Sequence, residues 1–405
     1  MAIALAGLFA LLNVINALNK GGDATVFFEG GRRILQAEPL YEGSSAAAGF
    51  IGPPFQAMFF APFAWVADIH PVAAKLLWHC ANVLSLVAGV WLTAHAWWNI
   101  RARLGLEPRP WFPLLFAPLL AVLVPLQTNF EHQNMNTVLL ALLAGATWQL
   151  TIGSAIVAGL LVGVATALKA FPALILIYFA VRQQWRALTA AITTAVLLTV
   201  LPAIVYGIDG YRQLIADFLR LGRSGWPVRG NNQSLVAAID RYITGVTADG
   251  VRSAGEAPLA FTIFIAAAVL LSVFLLAALL RTRVTAVPIE MTAVTILAIL
   301  LSPIAWDHYW TLMFPAFLIV YESSGARLLG ATGRFAFWIA AGLTTALSPL
   351  TLGVRGFNVA RALSVDTIAA LIVLGALVAM MWKARPGTEP ADEATRASRA
   401  KANVA

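Results

Sequence analysis

The stretch GLLVGVATALKAFPALILIYFAV, Gly159 to Val181, is apolar along nearly its whole length, yet it carries Lys169 and a Phe171-Pro172 pair near its middle. An apolar run of more than roughly 17 residues can cross the ~30 Å of hydrocarbon in a bilayer. A proline inside a helix removes a backbone hydrogen bond and breaks it. The stretch therefore reads as two short helices, at about 154–168 and 171–185, that meet below the membrane surface with a cation at the break. A lysine in such surroundings is costly unless it is paired or faces a wet cavity. Lys169 either marks a site, where a cation suits a lipid-linked phosphate, or carries its ammonium to the interface on its aliphatic stem.

The rest of the chain extends the pattern. Of 405 residues, 60% are hydrophobic and only 11% charged, with mean hydropathy +0.80, against roughly 25% charged in an ordinary soluble domain. Long apolar runs recur throughout, and backbone polar groups in lipid are satisfied only in helices or closed barrels, so the chain is expected to be an all-α polytopic membrane protein. About twelve spanning helices are predicted, at about 2–18, 72–98, 111–127, 135–150, 154–168, 171–185, 188–207, 258–280, 285–302, 309–322, 335–350 and 365–382. Residues 1–382 then form one transmembrane domain with long outer segments at about 19–70 and 208–257, and residues 383–405 a polar, disordered cytoplasmic tail. The first run lacks a basic leader and reads as a retained helix rather than a signal peptide.

The net charge of +8 could point to nucleic acid, but the Lys and Arg residues fall in short clusters between apolar runs, such as Arg101/Arg103/Arg109, Arg182/Arg186 and Arg281/Arg283. Such clusters are orientation signals that mark the cytoplasmic side. This threading puts both termini inside and makes Pro53 to Ala67, short and begun by a double proline, a segment lying in the outer interface rather than a span. The single cysteine, Cys80, lies within an apolar run and has no partner for a disulfide.

Polar groups then collect on the outer face. Asp23 follows the first helix closely, and Gly21 and Gly22 let the chain turn sharply so that its carboxylate can point back over the bundle; a solvated helix-capping carboxylate is the other reading. Glu131, His132 and Gln133 form either a polar turn between helices or part of a site. Asn231, Asn232, Gln233 and Ser234 are either a helix-capping turn or, as uncharged groups with directional bonds, donors and acceptors for sugar hydroxyls. The stretch SPIAWDHYW, Ser302 to Trp310, sets Asp307 and His308 at the end of an apolar run, where burying charge is expensive. His79 and His95 lie within the second helix and read as packing residues. A transporter needs polar groups along a path through the membrane, and the inner half of these helices nearly lacks them, which favours a one-sided active site over a transporter or flippase. No phosphate-binding glycine loop, H-E-x-x-H zinc motif, G-x-S-x-G elbow or Asp-x-Asp pair is present.

Taken in order, GGDATVFFEGGRRILQAEPLY, GPPFQAMFFAPFAWV, FEHQNMNTVLLALLAGA, the Lys169 stretch, GNNQSLVAAI and LLSPIAWDHYWTLMFPAFLIV resemble glycosyltransferase family 87, the polyprenol-phosphate-mannose-dependent mannosyltransferase type, over about residues 20–325. The resemblance implies a GT-C architecture, a multipass bundle with interfacial helices in its first and a later outer loop, in the plasma membrane with its active site on the extracytoplasmic side. It implies an inverting transfer of a hexose, mannose by the family's type, from a polyprenyl-phosphate donor to a glycolipid or envelope-glycan acceptor, with no nucleic acid and no cofactor. Asp23 maps onto the catalytic acid of the first outer loop, Lys169 onto the lysine after the fifth helix and His308 onto the histidine of the SPxxW segment. Substrate contacts are then expected from Lys169, His132, Gln133, Asn232, Gln233, Asp307 and Tyr41, and further phosphate contacts from loop arginines such as Arg223 and Arg229. One departure is Gly52, where many relatives have a tyrosine before the double proline.

Overall fold

A computed structural model of the chain describes residues 13–15, 18–19, 22–46, 48–101, 111–245, 250–282, 286–324 and 329–383. Most of the expected first span and the tail from 384 onward lie outside the described residues.

The described chain is nearly all helix. In order it forms α1 (Gly22–Leu35), α2 (Pro54–Ile69), α3 (Pro71–Arg101), α4 (Trp111–Ala121), α5 (Leu123–His132), α6 (Asn136–Thr151), α7 (Ala155–Leu168), α8 (Leu174–Val181), α9 (Trp185–Val200) and α10 (Ala203–Arg223). The second half contains α11 (Leu235–Thr244), α12 (Pro258–Arg281), α13 (Val287–Leu301), α14 (Phe314–Ser324), α15 (Gly330–Ala341), α16 (Pro349–Ala362) and α17 (Val365–Lys383). Short 3-10 turns cover Phe171–Ala173 and Asp307–Met313, and β1 (Trp226–Pro227) pairs antiparallel with β2 (Val251–Arg252).

Among the described residues, three helices are long and apolar enough to cross a membrane, α3, α12 and α17, or five if each of two sharply bent pairs is one span. The expected dozen separate spans is thus not what helix length and composition give. The reason is local. Apolar stretches that hydropathy counts as spans are broken into short pieces, and a helix such as α7, with 14 residues, rises only ~21 Å. Lys169 ends α7 in extended conformation (φ −152°, ψ 128°), and the Phe171-Pro172 turn follows before α8 begins. The chain turns by 89° between α9 and α10, with Gly207, at φ 67°, kinking the start of α10; Gly353, at φ 65°, lies inside α16, which is bent by 87° from the helix before it. The helix over 349–362 falls where no element was expected.

Two of the arginines expected as orientation signals are also buried structural partners. Arg101 pairs with Glu322, and Arg182 holds Glu290 of α13 and the carbonyl of Thr282, with Tyr178 donating to the same carboxylate at 3.1 Å. Each pair ties two helices where an unpartnered charge would be costly. At the other end, α1 packs on α2 through small residues and rings. A Cβ at Gly31 would meet the backbone of Phe60 at 2.7 Å, and the Phe60 ring stacks on Phe27 (4.8 Å) and meets the edge of Trp78 (4.7 Å).

Helices α7 and α9 touch through Gly159 and Gly163. A Cβ at Gly159 would lie 2.2 Å from the carbonyl oxygen of Ala187, and one at Gly163 2.7 Å from that of Ala191. Both obstacles are backbone and cannot rotate away, so the pair sets a close crossing of small-xxx-small type. Gly159→Val is therefore expected to destabilise the protein by about 2 kcal/mol or more, read as a fall in Tm in detergent, whereas Gly153→Ala, whose Cβ meets nothing within 4 Å but sits at φ 84°, should cost less.

Candidate active site

The site is built at chain breaks. Gly22 opens α1 at φ 53°, and a Cβ there would lie 2.6 Å from the carbonyl oxygen of His132. Only glycine permits this approach, and it sets Asp23, in the first turn of α1, directly against the end of α5. That helix ends with Gln133 in left-handed conformation (φ 53°, ψ 38°). The reversal turns the Gln133 side chain inward, where its amide nitrogen lies 3.2 Å from Nδ1 of His79, and sends Asn134 to the cavity.

Asn134 is the hub. Its Nδ2 donates to Oδ2 of Asp23 at 2.6 Å, and its Oδ1 accepts from the backbone N–H of Met135 at 2.8 Å and from Nζ of Lys169 at 3.2 Å. Lys169 also donates to Oδ1 of Asn136 at 2.9 Å and sits 3.5 Å from the centre of the Tyr309 ring, a cation–π contact. Asn136 in turn donates to the carbonyl of His308 at 3.1 Å. One amide thus separates a carboxylate from an ammonium, and a second ties the ammonium to the histidine segment.

His308 lies behind Asp23. Its Nε2 is 3.7 Å from Oδ2 of Asp23 and its Nδ1 is 3.7 Å from Oδ1 of Asp307, while the rings of His308 and His132 are 5.4 Å apart. The His308 side chain is only 4% exposed, against 32% for Asp23 and 45% for His132. Burial, reinforced by His132 and Lys169, pushes the His308 imidazole well below its ordinary value, so it is neutral. Burial also lowers the Lys169 ammonium to about 7, against the opposing pull of Asp23.

Asp23, His132, Asn134, Lys169, Asp307, His308 and Tyr309 line one cavity of about 440 Å³, within the range of small-molecule sites. Its wall also includes Gly49, Ile51, Gly52, Pro53, Phe218, Leu221, Gly222, Arg229 and Asn231. Seven of the residues singled out in the sequence therefore meet: Asp23, His132, Lys169, Arg229, Asn231, Asp307 and His308.

Four others do not line it. Gln133 is buried beside His79. Asn232 fastens two loops, donating to the carbonyls of Pro227 (2.9 Å) and Pro303 (3.0 Å) and accepting from the N–H of Ala305 (2.9 Å). Gln233 donates to the carbonyl of Arg361 (2.7 Å) and accepts from the N–H of Asp366 (3.2 Å). Tyr41 donates to the carbonyl of Gly52 at 2.8 Å and so holds the cavity wall from behind. For Asn232, Gln233 and Tyr41 a neighbouring backbone group takes up the hydrogen bonds expected for a sugar, and for Gln133 the partner is the His79 ring. Ser234 caps α11, accepting from the N–H of Ala237. Sequence reading missed Asn134 and Asn136, whose cue was the alternation of polar residues across Met135 in HQNMN, and it missed Tyr309 and Arg361. At Gly52 a Cβ would collide with the Gln56 side-chain oxygen at 1.6 Å, so that amide occupies the space where a larger side chain would begin.

Comparison with known proteins identifies a family. A model of the family described as Glycosyltransferase family 87 matches residues 50–303. A polyprenol-phosphate-mannose-dependent alpha-(1-2)-phosphatidylinositol mannoside mannosyltransferase of Mycolicibacterium smegmatis is 27% identical over 82% of this chain and 76% of its own length. Its Mycobacterium tuberculosis counterpart is 27% identical over 74% and 69%. A pentamannoside mannosyltransferase of the same dependence, also from Mycobacterium tuberculosis, is 27% identical over 69% and 61%. No solved structure matches the chain.

The Lys169 amine is expected to titrate near 7 in the unliganded protein, and Asp23→Asn, by removing the charge that raises it, should lower that value further. Acylation of Lys169 by a small amine-reactive reagent, followed by peptide mass spectrometry across pH, reads both.

Proposed function

The chain belongs to glycosyltransferase family 87, and from that membership we propose that it is a membrane mannosyltransferase. It takes mannose from a polyprenyl-phosphate donor and transfers it to a glycolipid or envelope-glycan acceptor. Its bundle is of GT-C type with about twelve spans, it sits in the plasma membrane, and its cavity opens toward the extracytoplasmic side. The observation that supports this reading is the convergence of a carboxylate, an ammonium and a neutral imidazole on one cavity, from segments far apart in the chain.

The chemistry follows from charge. An acceptor hydroxyl attacks the anomeric carbon, the bond from that carbon to the phosphate oxygen breaks, and the hydroxyl proton goes to a base. Asp23, partly exposed and hydrogen-bonded to Asn134, is the base. The departing polyprenyl phosphate gains negative charge as the bond breaks, and Lys169 is the cation placed to stabilise it. His308 stands with Nδ1 3.7 Å from Asp307 and Nε2 3.7 Å from Asp23, neither in a hydrogen bond. The space beside Nε2 and the Asp23 carboxylate suits the attacking hydroxyl, which can donate to Asp23, better than the phosphate. His132 lies at the open rim of the same group. Membership of a transferase family removes the reason to prefer a flippase.

Purified protein in nanodiscs, given synthetic polyprenyl-phosphate mannose and a phosphatidylinositol mannoside, should yield an elongated glycolipid by mass spectrometry. Asp23→Asn is expected to lower kcat by about 10²- to 10⁴-fold with donor Kd little changed; equal product from wild type and Asp23→Asn would overturn the assignment. Lys169→Ala should cost about 10²-fold or more in kcat, and Lys169→Arg less. Because the ammonium is lost as pH rises through about 7, donor affinity of the free enzyme should weaken over that window in wild type and not in Lys169→Arg.

A further inference from the structure

Beneath the cavity, Asp307 has two different neighbours. Its Oδ1 accepts from the backbone N–H of His308 at 3.0 Å and lies 3.7 Å from Nδ1 of that ring. Its Oδ2 meets the guanidinium of Arg361. Asp307 is 4% exposed, and a carboxylate so buried stays ionised only with a partner. Arg361 is that partner, yet it comes from the end of α16, beyond the segment matched by the family model, and it does not line the cavity.

The turn that carries Arg361 is locked from several directions. Gln233 Nε2 donates to the Arg361 carbonyl at 2.7 Å, and Arg241 donates to the carbonyl of Ala362 at 3.1 Å and to the hydroxyl of Ser364 at 2.6 Å. The same loop supplies the carbonyl of Asn231 to the N–H of Asp307 at 3.0 Å. The segment from 228 to 241 thus fixes both halves of the Arg361–Asp307 pair. The Arg361 guanidinium also lies over the Phe357 ring, 4.5 Å from its centre, which fixes its approach along α16.

We propose that Arg361 is a positioning residue for sugar transfer: it holds Asp307 as a carboxylate 3.7 Å from Nδ1 of His308, and so fixes where that ring stands beside Asp23. The proposal rests on the transferase reading above. Without Arg361 a buried Asp307 takes a proton and becomes a donor or rotates away. His308 then loses the charge beside its Nδ1, and the place of the ring beside Asp23 is no longer fixed.

The test uses the full-length protein in nanodiscs with the assay described above. Arg361→Gln is expected to lower kcat by about tenfold to a hundredfold, as a small misplacement of a reacting group does, with KM for the donor changed much less. Arg361→Lys should restore part of the loss. Asp307→Asn should lose a similar amount, and the double variant Arg361→Gln/Asp307→Asn should lose no more than either alone. A second readout needs no turnover: 15N ring shifts of histidine-labelled protein, which holds five histidines, with the His308 signal assigned by His308→Asn. Wild type and Arg361→Gln should differ in the His308 ring shifts. Wild-type kcat in Arg361→Gln, additive losses in the double variant, or unchanged His308 ring shifts would each overturn the proposal. Lower yield or Tm with an unchanged kcat per folded molecule would do the same, since that is what a purely structural arginine gives. If wild type itself transfers no mannose, the functional reading fails, and the ring-shift comparison still decides the role of Arg361.

Discussion

A single amide keeps two opposite charges from meeting. Asn134 gives its N–H to Asp23 and its carbonyl to Lys169, and its orientation is set by the backbone N–H of Met135. Were the carboxylate and ammonium in direct contact, they would satisfy each other, and a substrate would have to break a desolvated ion pair before using either. Held apart by a neutral spacer, each keeps a face toward the cavity. The left-handed turn at Gln133 and the left-handed glycine at 22 both serve this arrangement, since one presents Asn134 and the other brings Asp23 to it.

The breaks in the helices belong to the same logic. Irregular backbone in a membrane protein is tolerated where it is buried in protein or lines a polar cavity. Here the end of α7 at Lys169, the end of α5 at Gln133 and the segment Ser302 to Trp306 ahead of the Asp307–Met313 turn gather around one cavity or directly behind it. Each break frees backbone groups that then serve the site: the carbonyl of His308 receives Asn136, and the loop at Asn231 receives Asp307. Below this layer the helices are apolar apart from pairs such as Arg101–Glu322 and Arg182–Glu290. The polar work of the molecule is therefore concentrated at one end.

Legibility in the sequence tracked free-energy cost. Lys169, Asp307 and His308 stand out because a charged or polar group in an apolar run demands a reason, and Asp23 stands out because two glycines precede it. Asn134, Asn136, Asn232 and Gln233 carry the same amide chemistry, and nothing in their spacing separates the pair that holds Lys169 from the pair that fastens loops. That difference comes from the φ of one residue, Gln133, and from which backbone carbonyls lie nearby. Arg361 was invisible because its partner, Asp307, is remote in the chain and only the turn of α16 brings them together. Hydropathy likewise measures how apolar a stretch is, while the bends at Gly207 and near Gly353 decide its direction.

Composition and hydropathy by themselves determined that this is a helical membrane protein, and ordered motifs pointed to its family, because burial of apolar surface and the cost of lone charges are local properties of a stretch. Which polar groups meet was decided only by the tertiary structure. Hydrogen bonds act over about 3 Å and depend on direction, so a carboxylate at 23, an amide at 134, an ammonium at 169 and an imidazole at 308 become one site only when helix breaks aim them at the same point.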